Sequence, residues 1–286
     1  MKILITGGNG QLGRCLQDAL QYSGHEFFAP AKSELDISDE SSVDNAIRSY
    51  RPDMVVNTAA YTAVDNAEQE SHIAFLVNET SLKHLANSCK ALDIPLIHIS
   101  TDYVFAGTAS SPYKSDDHTA PLSVYGKSKL AGEQAIRALW EKHIIVRTSW
   151  VFSEYGNNFV KTILRLAQSR DSLNIVADQW GCPTYAGDLA IAIVKICDEL
   201  QHKSAWGTYH YAGATSTNWH GFASAIIQFL PKSIPVLPIS TAEFPTLARR
   251  PNYSILDCNS TINTWNVKLS DWQGALEKVI PKLTSC

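Results

Sequence analysis

A glycine-rich turn between an apolar strand and a helix restricts the fold of this chain more than any other feature. Residues 2–6 form a short apolar run typical of a buried parallel strand, and Gly7, Gly10 and Gly13 follow it at once. Apolar residues then recur at helical spacing up to residue 20. Glycines at such a turn allow a tight bend and a close approach of a pyrophosphate, and the helix N-terminus offers N–H groups to the phosphates. The G-x-x-G-x-x-G spacing, in this context, predicts a dinucleotide-binding site.

Strand-like and helical segments alternate along the chain. Strands are predicted at residues 2–6, 25–29, 53–57, 95–100, 143–148 and 173–177. Helices are predicted near residues 11–22, 40–50, 72–92, 124–141 and 157–170. This alternation indicates β-α-β units. The predicted fold class is α/β, a Rossmann-type doubly wound parallel sheet with a smaller C-terminal substrate-binding lobe.

The regular alternation of strands and helices becomes irregular after about residue 150, and the predicted domain boundaries follow from this change. Residues 1–150 are predicted to form the NAD(P)-binding Rossmann domain, and a later segment, about 186–225, is predicted to pack back on it. Residues 151–185 and 226–286, where prolines often break the later part of the chain, are predicted to form the smaller lobe. Segment 105–121 is rich in small and turn residues, so we expect a long loop at the sheet edge where ligands bind.

The net charge, the apolar runs and the cysteine spacing limit the kinds of molecule and compartment that we expect for this chain. The formal net charge of −4 over 286 residues disfavours a nucleic-acid-binding surface. The first apolar run is only strand-sized and no run reaches membrane-spanning length, so we expect neither a leader segment nor a membrane anchor. The six cysteines show no paired spacing, which is typical of reduced thiols in a cytoplasmic protein. His98 lies in a predicted strand and is interpreted as a satisfied core histidine.

Tyr125 and Lys129 stand four residues apart in a predicted helix. This spacing places both side chains on one helical face, one turn apart, and none of the other ten tyrosines has a lysine at that position. An ammonium beside a phenol favours the phenolate, so we expect a lowered pKa for Tyr125 and proton exchange with a substrate oxygen near neutral pH. The alternative is a solvated helix face, which the dinucleotide motif elsewhere in the chain disfavours.

The residues that end the third and fourth strands extend this site. Small residues at 58–60 would let a nucleotide lie against bare backbone, although tight packing beneath a helix would use the same residues. Thr101 ends the fourth strand, and its hydroxyl is predicted to bond the substrate oxygen that Tyr125 protonates. The competing interpretation is an ST-turn that closes the strand.

The tip of the second strand indicates which nucleotide binds. NAD-selective sheets carry an Asp or Glu there, about 20 residues past the glycines, for the ribose 2′-hydroxyl. In this chain Lys32 and Ser33 occupy the place. A cation suits a 2′-phosphate, so the predicted cofactor is NADPH, with NADH as the alternative.

Several stretches carry a resemblance to known proteins. They are GQLG at 10–13, NTAAYTAVD at 57–65, STDYVF at 100–105, VYGKSKLAGE at 124–133, RTSWVF at 147–152, GNNF at 156–159 and RP at 250–251. With the glycines and the Tyr-x-x-x-Lys pair, the chain resembles the extended short-chain dehydrogenase/reductases. More narrowly, it resembles the dTDP-4-dehydrorhamnose reductase family from residue 1 to about 260. The resemblance implies NAD(P)H-dependent reduction of the C4 keto group of dTDP-4-dehydro-L-rhamnose to dTDP-L-rhamnose.

The resemblance also implies roles for single residues. Tyr125 would be the proton donor, Lys129 would hold the nicotinamide ribose, and Thr101 would orient the C4 carbonyl. The cofactor contacts are predicted at Gly7, Gly10, Gln11, Leu12, Lys32, Asp36, Ala59, Ala60, Tyr61 and Lys129. The substrate contacts are predicted at Tyr103 and Trp150 for the sugar, and at Asn158 and Arg250 for the nucleoside diphosphate. The expected partner is a nucleotide sugar, with no nucleic acid and no membrane, and the expected state is monomer or homodimer.

One departure from the family concerns metal. Some dimeric members place Mg²⁺ between subunits, through carboxylates that include one shortly after the third glycine. In this chain Arg14 and Cys15 follow Gly13, and Asp188 alone does not make a hard-cation site. We therefore predict no metal dependence.

Two other functions stay open on the sequence. The first is a different nucleotide-sugar epimerase, dehydratase or reductase of the same superfamily, and the second is a non-catalytic, nucleotide-sensing regulatory relative. A single acid, Asp102, follows Thr101, where dehydratases usually carry an acidic pair. The presence of both Tyr125 and Lys129 disfavours a non-catalytic relative.

Overall fold

The computed structural model describes residues 1–231 and 233–284. Its strands are β1 (Lys2–Thr6), β2 (Glu26–Phe28), β3 (Met54–Asn57), β4 (Leu96–Thr101), β5 (His143–Thr148), β6 (Val151–Phe152), β7 (Leu173–Val176), β8 (Trp180–Gly181), β9 (Thr184–Tyr185), β10 (Gly207–His210), β11 (Thr217–Asn218) and β12 (Val236–Ile239). Its helices are α1 (Gln11–Leu20), α2 (Glu40–Tyr50), α3 (Val64–Ala67), α4 (Ser71–Phe75), α5 (Ser81–Ala91), α6 (Val124–Leu139), α7 (Phe159–Ser169), α8 (Ala186–Leu200), α9 (Trp219–Ile227), α10 (Asn259–Trp265) and α11 (Trp272–Thr284). A π-helical turn, Leu76–Thr80, joins α4 to α5.

Six parallel strands form the central sheet, in the order β10-β5-β4-β3-β1-β2. Because side chains alternate along a strand, Ile3 and Ile5 of β1 enter one hydrophobic layer and Leu4 enters the other. Helices α1 and α8 cover the first face, and α2, α5 and α6 cover the second. The predicted doubly wound α/β sheet is confirmed.

The strand predicted at 173–177 lies outside the central sheet. Strand β7 pairs with β12 in a small parallel sheet, and the sixth central strand is β10, which runs parallel to β5. Sequence reasoning missed β10 because its four residues, GTYH, carry little of the apolar signal of a buried strand.

The smaller lobe has a core of its own, built from Phe152 and from apolar side chains of α7, α9 and α11. Within the predicted returning segment 186–225, α8 and β10 do join the main sheet. Helix α9, however, buries Phe222 and Ile226 in the core of the lobe. Helix α9 therefore packs with the lobe and not against the main sheet, and the domain boundaries stay a prediction.

Two expectations from the composition concerned unpaired cysteines and the absence of a membrane-spanning segment. Cys15, Cys89, Cys182, Cys197 and Cys258 are buried and unpaired, and Cys286 lies outside the described residues. Across 1–231 and 233–284, the structure contains no helix whose length and apolar character would allow it to span a bilayer.

Candidate active site

The glycine turn leaves backbone groups open to a ligand. Gly7 has a left-handed backbone with φ of +71°, and a Cβ there would stand 2.6 Å from the Ala59 nitrogen. Helix α1 follows Gly10, which supplies no side-chain cap, and its first turn holds no acidic residue. Its first N–H groups are therefore available to a pyrophosphate, and no carboxylate of that turn repels one. The turn fits the predicted dinucleotide.

The start of α6 is fixed against the end of β4. Ser123 caps the helix and its Oγ accepts a hydrogen bond from the Gly126 N–H at 3.1 Å. A Cβ on Gly126 would stand only 2.3 Å from the Tyr103 carbonyl oxygen, so the helix and the chain after β4 are in close contact. Because β4 ends at Thr101, this packing brings Thr101 and Tyr125 together.

Tyr125 lies at the junction of these elements. Its hydroxyl lies close enough to Thr101 to be influenced by it, and its ring meets Tyr103 edge-on with centroids 5.8 Å apart. Burial raises the pKa of Tyr125 to about 12, with the Thr101 hydroxyl opposing the shift and the Asp102 charge adding to it. The lowered pKa expected from Lys129 is wrong for this arrangement, because desolvation dominates and the lysine nitrogen bonds other groups.

Lys129 is buried beneath the sheet edge, with 2% of its surface exposed. Its Nζ donates to the Ile99 carbonyl at 2.7 Å and lies 3.2 Å from Nε2 of His98. Burial lowers the pKa of Lys129 to about 8, and the charge of Glu133 partly opposes that shift. The side chain is therefore positioned by the sheet, with its proton held less tightly than that of a surface lysine.

A buried ion pair locks α6 onto the sheet one turn beyond Lys129. The Glu133 carboxylate accepts from Arg147 Nε at 2.9 Å and Nη2 at 2.7 Å, and from the Ser100 hydroxyl at 2.5 Å. Burial would raise the pKa of Glu133, but its bonds to Arg147 and the charge of Arg137 hold it below the ordinary value. This bidentate pair fixes the rotation of α6 and so the direction of the catalytic face.

The backbone of residues 59–61, which is predicted to lie against the cofactor, is fixed by hydrogen bonds from a neighbouring turn. Ala59 contacts the glycine turn, and the Ala60–Tyr61 backbone follows it along the sheet edge. Asn78, in the π-helical turn, accepts from the Tyr61 N–H at 2.9 Å and donates to the Tyr61 carbonyl at 3.0 Å. π-helical turns recur at functional sites, and this one sets the backbone position of the predicted cofactor contacts.

Lys32 lies beyond the tip of β2, as predicted, and its side chain is 80% exposed. Its Nζ stands 3.6 Å from Asp36 Oδ2, and Asp36 also accepts from the Ser38 N–H and hydroxyl. A carboxylate therefore does lie near the tip, but it pairs with the lysine. Contact of Lys32 or Asp36 with a ribose stays a prediction.

Trp150 forms a rigid aromatic wall between the two lobes. Its backbone is left-handed, with φ of 48°, and its ring stacks on Trp219 with centroids 3.5 Å apart and planes 9° apart. A Cβ on Gly181 would stand only 2.6 Å from the indole, so Gly181 packs closely against it. Trp219 is itself anchored, because its Nε1 donates to Gln179 at 3.2 Å. The structure thus supports a fixed orientation for a predicted sugar contact, and it adds Trp219, which the sequence reasoning missed.

Asn158 has a different setting from the one predicted. Its Oδ1 caps α7, and its Nδ2 donates to Gln11 Oε1 at 2.9 Å and to the Ser153 carbonyl at 2.8 Å. Asn158 thereby joins the lobe to the glycine turn, and its contact with the diphosphate stays a prediction. Gln11 is thereby oriented at the start of α1, whereas the Leu12 side chain is buried in the main core and has only its backbone to offer a cofactor.

Arg250 lies beside Tyr103, as the substrate prediction requires, and pairs with Asp65 of the Rossmann domain. Contact of Arg250 with a diphosphate stays a prediction. Asp65 was not singled out from the sequence, although it ends one of the stretches that carry the resemblance.

Arg14 and Asp188, which the sequence analysis considered in connection with a metal site, make different contacts within the protein. Arg14 stands over the Tyr155 ring at 5.6 Å, and Asp188 accepts from the Ser270 hydroxyl at 2.8 Å. Over the described ranges, 1–231 and 233–284, no three or more His, Cys, Asp or Glu residues gather in a way that could hold a metal ion. Independence from metal remains a prediction.

Comparisons with known proteins agree with this site. The chain matches the family described as the RmlD substrate binding domain over residues 1–285. It is 44% identical to dTDP-4-dehydrorhamnose reductase of Aggregatibacter actinomycetemcomitans, covering 97% of this chain and 98% of that protein. It is 39% identical to the crystal structure of dTDP-4-dehydrorhamnose reductase from Bacillus anthracis in complex with NADP, with a TM-score of 0.91 and 98% of each chain covered. A Clostridium acetobutylicum structure of the same description gives 38% identity, a TM-score of 0.93 and 99% coverage of each chain. By these matches along almost its whole length, the chain belongs to the RmlD substrate binding domain family, together with the dTDP-4-dehydrorhamnose reductases.

Proposed function

We propose that this protein catalyses the NADPH-dependent reduction of the C4 keto group of dTDP-4-dehydro-L-rhamnose to dTDP-L-rhamnose, with NADH as a possible substitute. The observation that carries the proposal is the packing of the start of α6, with Tyr125, against the chain at the carboxyl end of β4. The glycine turn follows β1 at the same edge of the same parallel sheet. Ligands of such sheets bind at the carboxyl ends of the strands, so one ligand pair can meet both features.

Tyr125 is the proposed proton donor. A phenol with its pKa raised to about 12 stays protonated at neutral pH, which is the form a donor needs. When bound, the reduced nicotinamide supplies a hydride to C4 of the sugar. Thr101 orients the carbonyl through its hydroxyl, and the proton moves from Tyr125 to O4 as negative charge develops there.

Lys129 is proposed to hold the nicotinamide ribose. Its Nζ is fixed by Ile99 and His98. A lysine nitrogen carries more than one N–H donor, so it can still donate a further hydrogen bond to the ribose. Tyr103 and Trp150 are proposed sugar contacts, and Arg250 is proposed to reach the diphosphate. Asn158 is proposed to position Gln11.

The choice of NADPH rests on Lys32 and on the relative from Bacillus anthracis, which was crystallised with NADP. An exposed lysine beyond the tip of β2 can meet a 2′-phosphate without displacing any buried group. We also propose a cytoplasmic location, supported by the buried, unpaired thiols, and a monomer or homodimer as the working state.

A spectrophotometric assay tests this function. The protein is mixed with NADPH and with dTDP-4-dehydro-L-rhamnose made in situ by the upstream epimerase, and the fall in nicotinamide absorbance is followed. A UDP version of the sugar runs in parallel. Rapid loss of absorbance with the dTDP sugar supports the proposal, and preference for the UDP sugar would reassign the nucleotide. Protein that purifies with bound NAD⁺ and converts a nucleotide sugar without added cofactor would instead indicate an epimerase.

A further inference from the structure

A row of buried polar side chains crosses the sheet beneath the catalytic edge. It begins at Lys129, whose Nζ lies 3.2 Å from His98 Nε2. His98 Nδ1 lies 2.9 Å from Asn57 Nδ2, and Asn57 Oδ1 bonds the Thr6 hydroxyl. His98 and Thr6 are each 1% exposed, and Asn57 is fully buried. The hydrogens of this row must therefore find acceptors in the protein, since water is kept out.

The backbone fixes which way the Asn57 amide points. The Ala59 N–H donates to Asn57 Oδ1 at 3.1 Å, so that atom must be the carbonyl oxygen. The other amide atom is then the NH₂ group, and it donates to His98 Nδ1. A ring nitrogen that accepts a hydrogen bond carries no proton.

His98 is therefore the tautomer with its proton on Nε2. Burial holds the pKa of His98 well below its ordinary value, so the ring is neutral. A neutral ring with Nδ1 unprotonated has its N–H at Nε2, directed at the Lys129 nitrogen. An ammonium has no lone pair with which to accept that bond, whereas an uncharged amine has one.

We propose that His98 is a positioning residue that directs its Nε2–H at Lys129 Nζ, and that Asn57 fixes this tautomer, so that the ammonium form of Lys129 is destabilised relative to the amine. The Ile99 carbonyl accepts one of the amine hydrogens at 2.7 Å. The other end of the row reaches Ala59, which contacts Gly7 of the predicted cofactor turn. The row thus joins the cofactor segment to the catalytic lysine, and its part in turnover rests on the proposed function.

The charges around Lys129 are consistent with a destabilised ammonium. Glu133, one turn further along α6, favours the ammonium, but its carboxylate is bonded to Arg147 and Ser100. Tyr125, one turn earlier, is a neutral phenol at working pH, and His98 faces Lys129 from β4. Burial lowers the pKa of Lys129 to about 8, so both of its protonation states are accessible under ordinary conditions.

The tautomer can be measured on the wild-type protein. Two-bond ¹H–¹⁵N spectra of protein labelled on the histidine rings distinguish Nδ1–H, Nε2–H and the imidazolium, and His98→Gln identifies the His98 signals. We expect His98 to stay neutral with its proton on Nε2 at neutral pH. A proton on Nδ1, or an imidazolium, would overturn the proposal. This measurement needs neither substrate nor cofactor.

The effect on Lys129 is measured by titrating ¹³Cε-labelled lysines. In His98→Gln the amide carbonyl can accept from an ammonium, so we expect the Lys129 pKa to rise by about one unit or more. His143→Gln is the matched control, because His143 is another mostly buried strand histidine, bonded to the Trp140 carbonyl. It should leave the Lys129 signal unchanged. An unchanged Lys129 pKa in His98→Gln would refute the role of His98.

The same variants separate this inference from the proposed function. If the enzyme reduces the dTDP sugar, the pH profile of kcat should shift in His98→Gln in the direction of the Lys129 titration, and it should not shift in His143→Gln. If His98 shows the Nε2–H tautomer but the protein does not reduce the sugar, the inference about His98 stands and the proposed function fails. If the protein reduces the sugar but His98 carries its proton on Nδ1, the proposed function stands and the inference about His98 fails.

Discussion

Arg250 makes a two-point ion pair with Asp65, with Nη2 2.6 Å from Oδ2 and Nη1 3.1 Å from Oδ1. Asp65 lies in α3 of the Rossmann domain, and Arg250 follows β12 of the lobe by eleven residues. The Ala248 N–H donates to the same carboxylate at 3.0 Å. Arg250 is the leading reason that the pKa of Asp65 lies below its ordinary value. The pair therefore ties the lobe segment next to Tyr103 to the Rossmann domain.

A double-mutant cycle should show that this pair is coupled more strongly than an ordinary surface pair. For Asp65→Ala, Arg250→Ala and the double variant, we expect a coupling free energy of about 1 kcal/mol or more, because the geometry is bidentate and the site is partly buried. The exposed pair of Arg48 and Asp44 on α2 is the control, with about 0.3–0.5 kcal/mol expected. The free energies come from urea unfolding. Equal coupling in the two cycles would show that Arg250 and Asp65 are no more than a surface contact.

Tyr125→Phe should remove turnover and keep the cofactor. The ring and its edge-on contact with Tyr103 remain, but the proton donor is lost, so kcat should fall by roughly 10²- to 10⁴-fold. Cofactor affinity, measured by fluorescence titration with NADPH, should change little. Tyr22→Phe, at a tyrosine that is 89% exposed, is the control and should keep full activity. A Tyr125→Phe enzyme that works at nearly the wild-type rate would remove Tyr125 from the mechanism.

Lys32→Glu should weaken NADPH binding much more than NADH binding. The substitution replaces a cation that can pair with the 2′-phosphate by a carboxylate that repels it, and a charge-assisted bond of this kind contributes about 1.5–3 kcal/mol. We therefore expect a loss of roughly 10- to 100-fold in NADPH affinity. Kd values for both cofactors are measured by calorimetry, with Lys90→Glu on α5 as the control. An equal effect on the two cofactors would place the 2′-phosphate elsewhere.

Local patterns predicted the fold well wherever neighbours in sequence determine the structure. The strand, glycine turn and helix at residues 2–20 have the structure that their apolar spacing indicates, and α6 begins at Val124 as predicted. Pairing between strands was harder to predict. Nothing in the segment Leu173–Val176 indicates that it pairs with β12, because register and partner depend on packing in three dimensions.

The same distinction applies to the site. Thr101 and Tyr125 meet as the spacing suggested, but the direction of the Tyr125 pKa shift was predicted wrongly, because burial is a property of the folded chain. The partner of Arg250 lies 185 positions away in the sequence. His98, interpreted as a core histidine, is indeed satisfied by hydrogen bonds, yet one of them reaches Lys129, which the sequence alone did not indicate.

Asp102 should make stability fall as pH rises. It is 2% exposed, its Oδ2 has no hydrogen-bond partner among the described residues, and burial raises its pKa to about 7 against the opposing bond that the Thr101 hydroxyl donates to Oδ1. In the unfolded chain it ionises near the ordinary value of 3.8. Between about pH 4 and pH 7 the folded protein therefore holds a proton that the unfolded chain has released. The stability contributed by the neutral acid is complete below that window and is lost as pH rises through it, at about 1.4 kcal/mol per pH unit.

Asp102→Asn isolates this effect, because the amide resembles the neutral acid and does not titrate. The free energy of unfolding of the variant minus that of the wild type should be small near pH 4 and should grow by a few kcal/mol up to about pH 7, above which it should level off. Urea unfolding at a series of pH values measures it, and Asp116→Asn, at an exposed position, should give a difference that lacks this rise. A difference that stays flat for Asp102→Asn would mean that the carboxyl group ionises in the folded protein as it does in water. The buried Oδ2 would then need a solvent contact that the packing around Thr101 does not provide.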